Sequence, residues 1–221
     1  MVKRLIDLFI AIVVLVLLSP FFLIIIIILK FTGEGEVFYL QERLGYLNRK
    51  FDIIKFATMV KNSPNIGSGS LTLRGDPRVL PFGKFLRKSK INELPQIFNV
   101  IIGNMSIVGP RPQMQVDFDK FPIDKRNKIY KSQPGVTGIG SIIFRDEEKW
   151  ISDFDGDKHK FYRNKIAPYK AEVEIWYNQN QSLLIDFKLI FLTAWVIIFP
   201  NTNIVEIFFK SLPKKPPHLK N

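Results

Sequence analysis

The sequence predicts a mostly helical α/β domain with a small sheet, led by a membrane helix. Three observations predict it. Residues 8–29 form an apolar run broken only by Ser19 and Pro20. Two short apolar-rich stretches, residues 37–41 and 51–56, read as strands. Further on, apolar residues recur at helical spacing at Ile97, Phe98 and Ile101, and again through residues 183–199.

The N-terminal run is long enough to cross a bilayer as one helix. Asp7 and the lack of a small-x-small site argue against a cleaved signal peptide, although Lys3-Arg4 would suit one. Pro20 has no amide hydrogen and its ring crowds the Val16 carbonyl, which predicts a kink; the Ser19 hydroxyl can satisfy a freed carbonyl. Length alone favours a simple spanning helix. Positive charge on both flanks, Lys3-Arg4 and Lys30, does not favour opposite faces. A helix that dips in and returns to the same side fits both the break and the flanks.

After the two strands, residues 62–69 are rich in Asn, Ser, Pro and Gly and read as a loop. Gly75-Asp76-Pro77-Arg78 reads as a turn. Asn92 is placed to cap a helix beginning at Glu93, with Pro95 in its first turn. Such an N-terminus attracts phosphate, and Arg87, Lys88 and Lys90 lie just upstream; an ordinary capped helix with a solvated basic entry is the plainer reading. In Gly109-Pro110-Arg111-Pro112 two prolines restrict the backbone around an arginine, lowering the entropy lost when its guanidinium grips phosphate. Phe144-Arg145-Asp146-Glu147-Glu148 reads as a solvated loop or a specificity element. Asp186 and Lys188 disfavour a membrane span for residues 183–199, so that segment reads as a buried or interfacial helix, with Trp176 and Trp195 near the headgroups. Lys214-Lys215-Pro216-Pro217 reads as a flexible basic tail. The chain divides into a membrane helix (1–30), a domain (31–210) and a tail (211–221).

Composition narrows the chemistry. Lys and Arg number 32 against 20 Asp and Glu, a net charge of +12, which favours an anionic partner. The absence of Cys excludes disulfides, thiolate catalysis and Cys-ligated zinc. With His159 and His218 the only histidines, at the surface by expectation, a three-histidine metal site within one chain is impossible.

In order along the chain stand Ser19-Pro20, Gln41-Glu42-Arg43-Leu44-Gly45, Lys55-Phe56, Asp76-Pro77-Arg78, Leu86-Arg87-Lys88, Glu93-Leu94-Pro95-Gln96, Gly109-Pro110-Arg111-Pro112 and Pro134-Gly135-Val136-Thr137-Gly138. Through them the chain resembles the bacterial sugar transferases, the monotopic phosphoglycosyl transferases, over most of its length. The resemblance implies a re-entrant membrane helix, a cytoplasm-facing domain at the bacterial inner membrane, and interfacial helices. It implies transfer of a sugar phosphate from a nucleotide sugar, UDP-linked, to polyprenyl phosphate, with membrane lipid as a further partner and a homodimer left open. In the family an Asp attacks the diphosphate and the following Glu helps hold Mg2+. Those positions are Asn92 and Glu93 here. Glu93 is the expected magnesium ligand; Arg111 and Arg87, with Lys55 and Arg78 behind them, are the expected phosphate-binding residues.

The sequence departs from the family pattern at three places: Asn92 for the Asp, Ala57 where an Arg is common, and Asn104 where an Asp is common. A neutral amide is a poor nucleophile for phosphorus. Four readings stay open: attack by Glu93, direct attack by the lipid phosphate with Glu93 holding magnesium, a relative that binds nucleotide sugar or lipid phosphate without catalysis, or an engineered substitution at Asn92. A nucleic-acid-binding protein fits the charge but neither the membrane helix nor any nucleic-acid motif.

Overall fold

The computed structural model describes residues 1–66, 75–199 and 204–219. Of the loop expected at 62–69, positions 67–69 lie outside the described residues, as do the tail's last two positions and the His218 side chain.

The chain opens with α1 (Val2–Lys30), which runs through Pro20. The Ser19 hydroxyl donates to the Val16 carbonyl at 2.9 Å, the group that the proline deprives of its usual donor. Only Asp7, Ala11, Phe22, Ile25 and Leu29 of this helix are buried. Both of its ends touch the same domain. Arg4 donates to the carbonyls of Val100 and Ile101, and Lys3 to that of Val108. Asp7 accepts from the Ser106 hydroxyl and the Ile107 amide. Near the other end, Phe22 packs edge-on against Phe56 and close to Phe98.

Strands β1 (Phe38–Leu44) and β2 (Lys50–Phe56) pair antiparallel, Leu44 opposite Lys50. The hairpin turn uses two left-handed residues, Leu47 and Asn48. The turn at Gly75–Arg78 forms as expected: the Asp76 carboxylate accepts the Arg78 amide, and its carbonyl accepts the Val79 amide. Helix α2 (Pro81–Lys88) leads to a tight turn, Ile91–Glu93, and then α3 (Gln96–Ile102).

The start of α3 corrects the capping expectation. Lys90 is left-handed, and the amides of Glu93, Leu94, Ile97 and Phe98 each bond to the carbonyl three residues back. These bonds satisfy the donors that a capping side chain would have taken, so the helix begins at Gln96 and Asn92 caps nothing.

Next come β3 (Ser106–Val108), α4 (Gln115–Phe118), α5 (Ile123–Ile129) and β4 (Gly135–Thr137). Strands β3 and β4 pair parallel, Ser106 opposite Gly135 and Val108 opposite Thr137. This joins two motifs that are separate in sequence. A Cβ on Gly109 would overlap the Gln133 carbonyl, and one on Gly138 would overlap the Gly109 carbonyl. The backbones approach so closely that only glycine fits.

The remaining helices are α6 (Ile139–Ile143), α7 (Glu147–Asp153), α8 (Lys158–Phe161), α9 (Ala167–Asn180), α10 (Leu183–Ile198) and α11 (Ile204–Phe208). A π-helical turn, Tyr162–Ile166, joins α8 to α9. Helix α10 buries Leu189, Leu192 and Val196 and exposes Leu184, Phe187, Phe191 and Ile198. Trp176, expected near headgroups, lies in the core against Phe209. The tail is not free of the domain: Leu219 is buried, and the Lys215 ammonium sits 4.7 Å from the Trp150 ring centre.

Candidate active site

The residues that meet are Glu93, Arg111 and Lys55. Glu93 ends the tight turn before α3, Lys55 comes from β2, and Arg111 follows β3. The Arg111 guanidinium donates to both Glu93 oxygens, at 2.8 and 3.3 Å, a bidentate pair. The Lys55 ammonium stands 3.7 Å from Glu93.

Burial alone would raise the Glu93 carboxyl, but the Arg111 and Lys55 charges hold it well below the usual carboxylate range. Burial pushes the Lys55 ammonium down to about 7; Glu93 opposes this, while Arg43, Arg111 and Arg87 add to it. A narrow cleft opens here, lined by Arg43, Lys55, Gln96, Arg111 and Pro112 with Ile53. Its cations outnumber its acid, so it is built for an anion with more than one charge.

Arg111 is held from behind. Its amide donates to Glu174 at 3.1 Å, and its carbonyl accepts the Tyr130 hydroxyl at 2.9 Å. The same hydroxyl accepts the Gln113 amide. Both backbone groups of the arginine are thus fixed inside the Pro-Arg-Pro turn.

The other expected residues fall differently. Arg87 pairs with Glu148 at 3.0 Å, which ties α2 to α7 at the edge of the site. Glu147 pairs with the buried Lys170 at 2.7 Å. The acidic cluster expected as a solvated loop therefore opens a helix and supports the site's rim. Arg78 pairs with Asp76 at 2.6 Å, both buried, and donates to the carbonyls of Ser63 and Ile66. It holds its own loop together, the structural alternative to phosphate binding. His159 is exposed, as expected, with Nδ1 3.2 Å from the Lys120 ammonium. Sequence reasoning passed over Arg43, Gln96 and Glu174; the first two lay inside quoted motifs, whereas Glu174 carried no local signal.

Among the described residues no group of three or more His, Asp and Glu side chains is arranged to hold a metal. The donors at hand are the Glu93 carboxylate and Asn92 Oδ1, which is buried without a hydrogen-bond partner among the described residues. Two hard oxygens fit magnesium, which commonly takes one or two protein ligands and completes its shell from phosphate and water.

Residues 1–200 match the family model described as bacterial sugar transferase. The chain is 34% identical over 206 residues to the exopolysaccharide production protein ExoY of Sinorhizobium fredii, covering 86% of this chain and 83% of that one. It is 33% identical over 199 residues to the UDP-N-acetylgalactosamine-undecaprenyl-phosphate N-acetylgalactosaminephosphotransferase of Aeromonas hydrophila, covering 89% of this chain but 44% of that protein. A UDP-glucose:undecaprenyl-phosphate glucose-1-phosphate transferase of Klebsiella pneumoniae is 32% identical over 197 residues, covering 87% and 39%. The chain thus spans most of the first relative and less than half of the other two. These names lend no support to the binding-only reading.

Proposed function

The chain belongs to the bacterial sugar transferase family, and from that premise we propose that it moves a sugar phosphate from a UDP-sugar to undecaprenyl phosphate or a similar polyprenyl phosphate at a membrane. The observation that carries the reading is the half-buried cluster of Glu93, Arg111 and Lys55, two cations and one acid beside a polar cleft. Phosphoryl transfer asks the protein mainly for positioning and charge neutralisation. Arg111, whose planar fork is paired with Glu93 here, would exchange that partner for diphosphate oxygens, and Lys55 and Arg43 supply further charge. Glu93, with Asn92 Oδ1 beside it in sequence, would hold Mg2+. Bound there, the ion would neutralise charge on the diphosphate.

Asn92 removes the family's usual nucleophile. Glu93 is a weak substitute, because Arg111 holds both of its oxygens and its basicity is depressed. Direct attack by the lipid phosphate is therefore the favoured route. An oxygen of the lipid phosphate bonds to the sugar-linked phosphorus. The bond from that phosphorus to the bridging oxygen breaks, and the electron pair leaves with UMP. The products are polyprenyl diphosphate sugar and UMP.

A re-entrant α1 fits this reading. Arg4 near one end and Phe22 toward the other both pack on the α3 region, which supports both flanks lying on one side of the bilayer; the family reading takes that side as the cytoplasmic face. The exposed apolar faces of α1 and α10 would lie among lipid, as interfacial helices do.

The direct test measures UMP release by the full chain with polyprenyl phosphate, Mg2+ and UDP-glucose, UDP-galactose or UDP-N-acetylgalactosamine. At least one sugar is expected to give turnover. Glu93→Ala should abolish it, and Arg111→Lys, which loses the bidentate grip, should lower it by about 100-fold. Release that persists unchanged in Glu93→Ala would overturn the assignment.

A further inference from the structure

Behind Arg111 lies a carboxylate that the transfer step does not touch. Glu174 sits midway along α9 and is 1% exposed. Its Oε1 accepts the Arg111 amide, and its Oε2 is buried with no hydrogen-bond partner among the described residues. The carboxylate presses on α6, where a Cβ on Gly140 would overlap Oε1. Helix α6 offers no charged or titratable group; those that face the carboxylate come from the other neighbours. Arg111 faces it from the turn, and Lys170 from its own helix. Lys170 is itself paired with Glu147 of α7. Tyr130, just past α5, lies within its field and closes the same turn from the other side.

Packing alone does not account for an acid here. Glutamine has the same shape and would offer the Arg111 amide the same acceptor without burying an ionisable group. Burial pushes the Glu174 acid up to about 7, against the Arg111 hydrogen bond and the Lys170 charge. It therefore exchanges its proton within an ordinary working range.

Building on the reading of Arg111 as a diphosphate-holding residue, we propose that Glu174 is a positioning residue that fixes the Arg111 turn and, through one proton, sets how strongly the guanidinium holds diphosphate. The protonated acid accepts the amide through its carbonyl oxygen and leaves the Arg111 charge to phosphate. The ionised form places a further anion beside Arg111, in competition with substrate, and because Glu174 itself is buried its charge is only partly screened. The grip weakens as pH rises.

The test is UDP binding to the full chain at pH 6 and pH 8, for the unmodified protein, Glu174→Gln, Glu174→Ala and Arg111→Ala. UDP and Lys55 titrate alike in the unmodified protein and in Glu174→Gln, so the ratio of their affinities isolates Glu174. Glu174→Gln should bind about as well as the unmodified chain at pH 6 and roughly fivefold more tightly at pH 8. Glu174→Ala, which removes the acceptor, should bind about tenfold more weakly at both pH values. A thermal melt shows whether that variant folds; if it does not, the glutamine ratio decides alone. A ratio that stays constant between the two pH values overturns the proposal. Loss of UDP binding in no variant, Arg111→Ala included, would instead strike the reading of Arg111 itself, as would an unmodified chain that does not bind UDP.

Discussion

Lys55 shows how one residue's surroundings set its chemistry. An exposed lysine keeps its charge well above neutrality. Loss of solvent on β2 pushes this one down to about 7, and the charges of Arg43, Arg111 and Arg87 add to that, with only Glu93 favouring its charge. Its grip on phosphate is present while it is protonated and is lost as pH rises through that value. An arginine at the same place keeps its proton. The ratio of kcat/KM for Lys55→Arg to that of the unmodified protein should therefore climb about tenfold per pH unit above 7.5. A ratio flat from pH 6.5 to 8.5 would show that Lys55 charge is not used. Glu93 and Arg111 were legible in the sequence because each stands in a short motif whose neighbours restrict it. The bond between Arg111 and Glu174 was not. The two are 63 positions apart, and a glutamate in the middle of a polar helix looks like solvated surface until the fold buries it.

At the scale of elements, the local signals worked where they were long. The apolar N-terminal run became α1, the two alternating stretches became the hairpin β1 and β2, and residues 183–199 became α10 within one position at its C-terminal end. They failed for β3 and β4, because three residues are too few to show alternation. They also failed at Asn92, where tight-turn bonds replaced the expected cap. What the two glycine motifs do became clear only from their pairing: each supplies backbone that the other must approach without a side chain between them. That contact sets the direction in which the chain leaves β3 toward Arg111. Gly109→Ala forces a methyl into the Gln133 carbonyl and should cost about 2 kcal/mol or more, lowering the melting temperature by several degrees and UMP release with it. An unchanged melting temperature would mean that the two loops separate freely.

Across the whole molecule, two features point toward a bilayer. Helix α1 exposes Leu5, Phe9, Val16, Leu17, Leu23 and Ile27, and α10 exposes a second apolar row. The polar contacts of Lys3, Arg4 and Asp7 bind the start of α1 to α3 and β3, so the apolar helix and the strand that leads to Arg111 are one packed unit. The chain has no cysteine, so single cysteines report position cleanly. Introduced at Val2 and at Thr32, they should both react with an impermeant reagent from the same side of a sealed vesicle. Labelling from opposite sides would mean that α1 spans the membrane.

The most direct measurement is UMP release before and after lipid phosphate is added to the full chain with Mg2+ and the UDP-sugar it accepts. With Asn92 unable to attack and Glu93 held by Arg111, no UMP should appear until the acceptor arrives, and steady turnover should follow. A burst of UMP equal to the enzyme present, released without acceptor, would contradict this and show that a side chain takes the phosphosugar first.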